Sequence, residues 1–272
     1  MNLKRYFIFA SYSLLTALFL LAVRPCPAAA AEPGIIWGGP PQVKQVSLTF
    51  DDGPSPRYTG KILSVLKQHQ VHGTFFVLGA HVEHYPEVVR AAIQDGNEIG
   101  NHSFDHPRLT RSDELTREQE LERTSLDLEL LGYHPPCLLF RPPFSAYDVR
   151  LVSYLAHTHR RMVLWGIDSG DWQGLPAAAI VHNVLSRVRP GAIIIFHDSD
   201  EKEQADRSPT VAALQVIVPA LKAAGYRLVT VSDLVAGDRA TPGSASQAQP
   251  LQNLPAKPHP EAAGKKSASG SL

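Results

Sequence analysis

Between Val46 and about Val235 the chain alternates short apolar runs with longer stretches whose apolar residues return every three or four positions. The short runs are VSLTF (46–50), GTFFVLG (73–79), EIGNH (98–102), CLLFR (137–141), MVLWGID (162–168), AIIIFHD (192–198) and YRLVTV (226–231), each of strand length. Between them lie RYTGKILSVLKQHQ, EVVRAAIQDG, SDELTREQELERTSLDLELLG and SPTVAALQVIVPALKAAG. In these, groups such as Ile62, Val65 and Leu66, or Leu121, Leu128 and Leu131, fall at helical spacing. Seven successive strand-then-helix units predict a mainly parallel sheet, either open and doubly wound or closed into a barrel. No internal sequence repeat interrupts the alternation.

The two ends break the pattern. Lys4 and Arg5 precede the apolar run YFIFASYSLLTALFLLAV, and RPCPAAAAE then offers small residues for cleavage after Ala30 or Ala31. Residues 1–31 therefore read as a secretory signal peptide, with an uncleaved membrane anchor as the alternative because the run approaches spanning length. Residues 32–42 form a lead-in, 43–236 a single folded domain, and 237–272 a disordered tail rich in Ala, Ser and Pro. Export leaves Cys137 as the only thiol, because Cys26 falls in the signal, so an intrachain disulfide is excluded. The formal charge of zero also divides: residues 32–236 carry 19 basic against 24 acidic side chains, which argues against a nucleic-acid ligand.

Charged and imidazole side chains collect where the predicted strands end. Asp51 and Asp52 follow VSLTF, His102 follows EIGN, Arg141 follows LLF, Asp168 and Asp171 follow MVLWGI, and His197 follows IIIF. In parallel βα architectures these carboxyl ends share one face, and sites are built there. HSFDH spaces His102 and His106 so that two imidazoles can reach one ion from a helical turn or a tight loop, and Asp52 is the natural oxygen donor. Taken singly, each feature has a plainer reading: DDGP as a turn, RPPF as a proline-stiffened loop with a surface Arg, His197 as a buried structural residue.

Five motifs in order, TFDDGP (49–54), HSFDH (102–106), RPPF (141–144), DSGDW (168–172) and IFH (195–197), resemble those of the polysaccharide deacetylases, also called the NodB-homology or carbohydrate esterase family four domain. The resemblance covers about residues 43–236. It implies an α/β fold, a distorted (β/α) barrel that is often seven-stranded. It also implies Asp51 as general base, Asp52, His102 and His106 as metal ligands, and Arg141 as the residue that orients the base. The Phe144 backbone N–H becomes an oxyanion donor, His197 the acid that protonates the leaving amine, and Asp171 its partner. Trp172 and Ile195 match the positions around the acetyl methyl. The family usually has Tyr-Gly where this chain has Phe144 and Ser145, so a backbone donor survives but a phenol contact to sugar does not. Asp168 has no catalytic assignment and reads as a turn or cap residue.

The expectation is a divalent-metal-dependent hydrolase, zinc being preferred with Co2+, Ni2+ or Mn2+ as alternatives, that removes N-acetyl groups from N-acetylglucosamine-containing glycans of the peptidoglycan or chitin type and releases acetate. The alternatives are an O-acetyl esterase acting on acetylxylan and a catalytically inactive glycan-binding protein. The partner is an acetylated glycan, with no nucleic acid, with membrane contact only through an uncleaved N-terminal segment, and with a monomeric chain secreted, periplasmic or bound to the cell envelope. His69, His72, His81, His84, His134, His157, His159, His182 and His259 read as surface or helix-end residues.

Overall fold

A computed structural model describes residues 34–237. The first half contains β1 (Gln45–Asp51), α1 (Thr59–Gln68), β2 (Thr74–Val77), α2 (Gly79–His84), α3 (Pro86–Gln94), β3 (Glu98–Asn101) and α4 (Glu114–Leu130). The second half contains β4 (Leu139–Phe140), α5 (Val149–His157), β5 (Arg161–Met162), β6 (Ile167–Asp168), α6 (Ala177–Leu185), β7 (Ala192–His197), α7 (Ser208–Ala223), β8 (Arg227–Leu228) and α8 (Val231–Ala236). The export pattern and all of the tail except Gly237 lie outside the described residues. No helix among the described residues is long and apolar enough to cross a membrane.

Seven strands follow the order β5-β4-β3-β2-β1-β7-β6, and every pair is parallel. The sheet curls into a half-barrel wrapped by helices, as the expected seven-stranded distorted barrel requires. An eighth strand of two residues, β8, pairs with Gln45 and Val46 at the start of β1, ahead of the Thr49–Asp51 stretch that pairs with β2.

One predicted strand divides. MVLWGID becomes β5 and β6, which stand at opposite ends of the sheet. The amides between them donate in turn to different acceptors: Val163 N to Phe140 O, Leu164 N to Ile36 O and Gly166 N to Ile193 O. Met162, Val163, Leu164 and Ile167 are nevertheless all buried, so hydropathy carries no sign of the break. The lead-in bridges the same gap, Ile36 pairing with Val163 and Gly38 with Ala192 at the start of β7.

Strand alternation sorts β1 by face. Val46, Leu48 and Phe50 enter the large apolar core with Ile62, Leu66, Ile194, Phe196 and Leu214, where the Phe50 ring lies 4.7 Å from Phe75 and 5.7 Å from Phe196. Each such fully buried side chain contributes about 1.5–3 kcal/mol. Ser47, Thr49 and Asp51 take the other face, and all three are buried. A second apolar cluster, including Phe76, Leu139, Val163 and Ile193, is separate from that core. Polar side chains buried on the inner face are costly unless partnered; Thr49 and Asp51 share Arg141 as a partner, and that contact opens the site.

Candidate active site

Asp51 is the last residue of β1 and lies in register with His197, the last residue of β7. Its Oδ1 accepts a hydrogen bond from Arg141 Nη1 at 2.6 Å, and the same nitrogen donates to Thr49 Oγ1 at 2.9 Å. The Arg141 guanidinium is fully buried, 4.1 Å over the Phe76 ring and 5.5 Å from Trp165, and its Nε donates to Val163 O. Burial pulls its pKa down and the Asp51 carboxylate opposes that pull.

Asp52 leaves the strand with φ 74°, a left-handed conformation that is uncommon for a residue with a side chain. The reversal sends the adjacent carboxylates to different partners. Asp52 Oδ1 lies 3.4 Å from Nε2 of both His102 and His106, and it has no hydrogen-bond partner although it is buried. Burial pushes the Asp52 carboxyl up, but the His102 contact and the nearby imidazoles of His197 and His106 outweigh it and hold it far below the usual carboxylate range. Behind this turn, a Cβ added at Gly53 would stand 2.2 Å from Asp198 Oδ2, so only glycine fits. Burial raises the Asp198 carboxyl to about 7 even though Thr59 Oγ1 donates to it at 2.5 Å.

The two histidines sit in a tight loop, not on a helix. His102 follows β3, Ser103 has φ 72° and His106 φ 59°. Ser103 Oγ accepts from His106 N, and Glu120 Oε2 of α4 accepts from the amides of Phe104 and Asp105, which pins the loop. His102 Nδ1–H donates to Arg141 O at 2.7 Å, which turns Nε2 toward Asp52. Burial, with His102 adding, lowers the His106 pKa to about 4, so that imidazole is neutral at ordinary pH. One oxygen and two nitrogens lie within 4.8 Å of one another, and they could hold a metal ion.

His197 Nδ1 lies 2.9 Å from Asp171 Oδ1, and its backbone N donates to Asp171 Oδ2 at 2.8 Å. Thr210 Oγ1 donates to Asp171 Oδ2, and Arg207 Nη1 donates to Asp171 O. Burial alone would lower His197, but the Asp171 carboxylate, with Asp52 and Asp51 adding, pushes it up to about 9. The imidazole is therefore protonated at neutral pH.

Of the remaining sequence-predicted residues, Phe144 meets this group directly, while Trp172 follows Asp171 and Ile195 precedes His197 by two positions in the chain. Phe144 has φ 58° and Ser145 φ 53°, so the Tyr-Gly position of the family is filled by two side-chain-bearing residues in a conformation that favours glycine. The Phe144 ring is 43% exposed and meets His106 edge-on at 4.6 Å. Trp172 is 37% exposed and its indole Nε1 donates to Asp168 Oδ2, while Asp168 Oδ1 accepts from Gly170 N, which is the turn role expected of Asp168. Ile195 is buried two residues before His197 on the same strand.

Sequence reasoning missed His81. Read as a surface or helix-end residue, it is buried in α2, and its Nδ1–H donates to Asp52 O at 2.8 Å. Nothing in HVEH signals this, because the acceptor lies 29 residues earlier in the chain. Asp198, Thr210 and Glu120 were missed for the same reason.

The polysaccharide deacetylase family model matches residues 38–163. A peptidoglycan-N-acetylglucosamine deacetylase of Bacillus cereus is 36% identical over 203 residues, covering 74% of this chain and 92% of the relative. A chitooligosaccharide deacetylase of Rhizobium leguminosarum bv. trifolii is 36% identical over 194 residues, covering 68% and 89%. Among solved structures, a peptidoglycan N-acetylglucosamine deacetylase superposes with TM-score 0.72 at 33% identity over 78% of this chain and 98% of that one. A family pseudoenzyme of Bacillus anthracis superposes with TM-score 0.68 at 26% identity over 75% and 69%. Fold, ordered motifs and relatives agree, and this chain belongs to the polysaccharide deacetylase family.

Proposed function

We propose that the chain is a divalent-metal-dependent N-deacetylase of N-acetylglucosamine-containing glycans. The observation that carries this reading is the opposed orientation of Asp51 and Asp52, one paired with Arg141 and the other facing two imidazole Nε2 atoms. The unpartnered, buried Asp52 Oδ1 between two imidazole Nε2 atoms suits a divalent cation, and Asp52, His102 and His106 would hold it. A cation there would act as a Lewis acid toward the acetyl carbonyl and would acidify water. Zinc is the preferred identity on the nitrogen-rich donor set, with Co2+, Ni2+ or Mn2+ as alternatives.

Asp51, steadied through Oδ1 by Arg141, keeps Oδ2 for the proton of the attacking water. Water oxygen bonds to the acetyl carbon, and the Phe144 N–H faces the developing oxyanion. The carbon–nitrogen bond then breaks as protonated His197, held by Asp171, transfers its proton to the departing nitrogen. Acetate and an amino sugar leave. Trp172 and Ile195 border the acetyl methyl.

The pairing of His197 with Asp171 favours the amide over the ester reaction on acetylxylan, because an amine needs that proton more than an alkoxide does. The inactive, glycan-binding reading has less support, since each motif residue from Asp51 to His197 is in place. Arg108 favours peptidoglycan over neutral chitin-type oligomers. Its guanidinium stands 4.8 Å over the Phe144 ring, forms no ion pair among the described residues, and would meet carboxylates that chitin lacks. The export pattern of residues 1–31 would deliver the enzyme to the envelope where such a glycan lies.

Acetate released from peptidoglycan, chitooligosaccharides and acetylxylan tests the reading. The expected result is release from the N-acetylated glycans, lost on chelation, restored by Zn2+ or Co2+, and reduced ~100- to 10,000-fold by Asp51→Asn. Release from none of them, or release indifferent to chelation and to Asp51→Asn, rejects it.

A further inference from the structure

The two histidines of the Asp52 cluster are unequally supported. His102 Nδ1–H ends on a backbone carbonyl at 2.7 Å. His106 Nδ1 is buried and has no hydrogen-bond partner, and the carboxylate facing it is Glu201, whose Oε2 lies 3.8 Å away. When an ion takes the lone pair of His106 Nε2 beside Asp52, the ring proton belongs on Nδ1, where it needs an acceptor. Histidines that ligate metals nearly always donate this second N–H to a carboxylate or carbonyl, which fixes the ring and raises its basicity.

Glu201 stands on the loop between β7 and α7, and that loop is tied down on both sides of it. Asp200 Oδ1 accepts from the amides of Gln204 and Ala205, and Arg207 Nε donates to Ser199 O. Two residues on, Glu203 Oε2 accepts from Tyr85 OH at 2.8 Å, and Glu203 Oε1 lies 3.9 Å from Nε2 of His81. His81 in turn holds the Asp52 carbonyl. One loop thus places a carboxylate behind His106 and another behind the histidine that steadies Asp52. Glu201 is 47% exposed, which leaves its side chain free to close the remaining gap.

We propose that Glu201 is a positioning residue of the metal centre: its carboxylate takes the His106 Nδ1–H when the ion binds, with Glu203 acting more weakly through His81. This rests on the metal-dependent reading above and deepens it by adding an outer carboxylate that none of the five motifs contains.

The test titrates the metal-free full chain with Zn2+ against a chromophoric chelator and records the visible spectrum of the Co2+ form. Glu201→Ala is expected to weaken Zn2+ binding about 10- to 100-fold and to alter the Co2+ spectrum. Glu201→Gln, which keeps an acceptor oxygen, should recover part of that loss, and Glu203→Gln should shift affinity by less than Glu201→Ala. The melting temperature of the metal-free Glu201→Ala chain should match the parent, which separates a lost ligand from a damaged fold. Affinity and Co2+ spectrum of Glu201→Ala unchanged from the parent would overturn the proposal. Failure of the parent itself to bind one ion in a manner abolished by His102→Ala would sink the metal-dependent reading instead.

Discussion

The two halves of the site are built differently. Asp51, Arg141 and His197 sit at or just beyond strand ends, with partners at 2.6 to 2.9 Å set by sheet register. Asp52, His106 and Phe144 sit in loops at positive φ, and the polar contacts of the Asp52 carboxylate and the His106 ring nitrogens run from 3.4 to 3.8 Å. The acid–base half forms its charge pairs within the protein; the ligand half is arranged around a charge it does not itself supply. Preorganisation by the sheet and completion by an ion are distinct strategies within one cleft, and they predict different responses to damage.

The sharpest break is Arg141→Ala. It leaves Asp51 as an unpaired buried carboxylate, so unfolding free energy should drop by about 3–5 kcal/mol, read from the denaturant midpoint, and acetate release should fall with it. An exposed surface pair would show no such cost.

Asp171→Asn probes the same half through pH. The His197 imidazole is raised to about 9, so its proton-donating form persists below that pH and is lost above it. Without the Asp171 carboxylate, burial prevails and the alkaline limb of kcat should move to lower pH by more than one unit, measured as a pH–rate profile. The raised imidazole contributes stability that is full below about pH 6.5 and is lost as pH rises through about 9. Asp171, whose own pKa is lowered by His197 against the pull of burial, loses its contribution as pH falls into the carboxylate range.

His106→Ala should reverse the pattern. Removing a buried ring that already has an unpartnered nitrogen should cost the metal-free fold only about 1 kcal/mol in a thermal melt, while metal binding disappears. A loss as large as that of Arg141→Ala would erase the distinction between the halves. The smallest effect is expected from Arg108→Ala, about threefold to tenfold in kcat/KM on peptidoglycan fragments with chitooligosaccharides unaffected, the size of one partly exposed charge contact.

The strand-end half was the more legible. Asp51, Arg141 and His197 each close an apolar run, and the topology of a parallel sheet brings such ends together before any coordinate is known. His102 and His106 were legible through their spacing and through family resemblance, although spacing alone left helix and loop open. Glu201, His81 and Glu120 left no trace, because their partners lie 95, 29 and 16 residues away on segments without periodicity. The division of MVLWGID was invisible for another reason: a buried crossing and a buried strand share one hydropathy pattern, and only the acceptors of Val163, Leu164 and Gly166 tell them apart.

Those same acceptors give the lead-in an importance beyond its length. Ile36 N donates to Met162 O, Ile36 O receives Leu164 N, and Gly39 N donates to Gly191 O. A chain started at residue 43, where the apolar alternation begins, would strip the Leu164 amide of its acceptor and the carbonyls of Met162 and Gly191 of their donors. Val163 accepts from Arg141 Nε on the same stretch, so fraying there would reach the guanidinium that steadies Asp51. For truncation or fusion at the amino end, the safe junction therefore lies upstream of Ile35, and a few residues mistaken for a spacer would decide whether the base stands still.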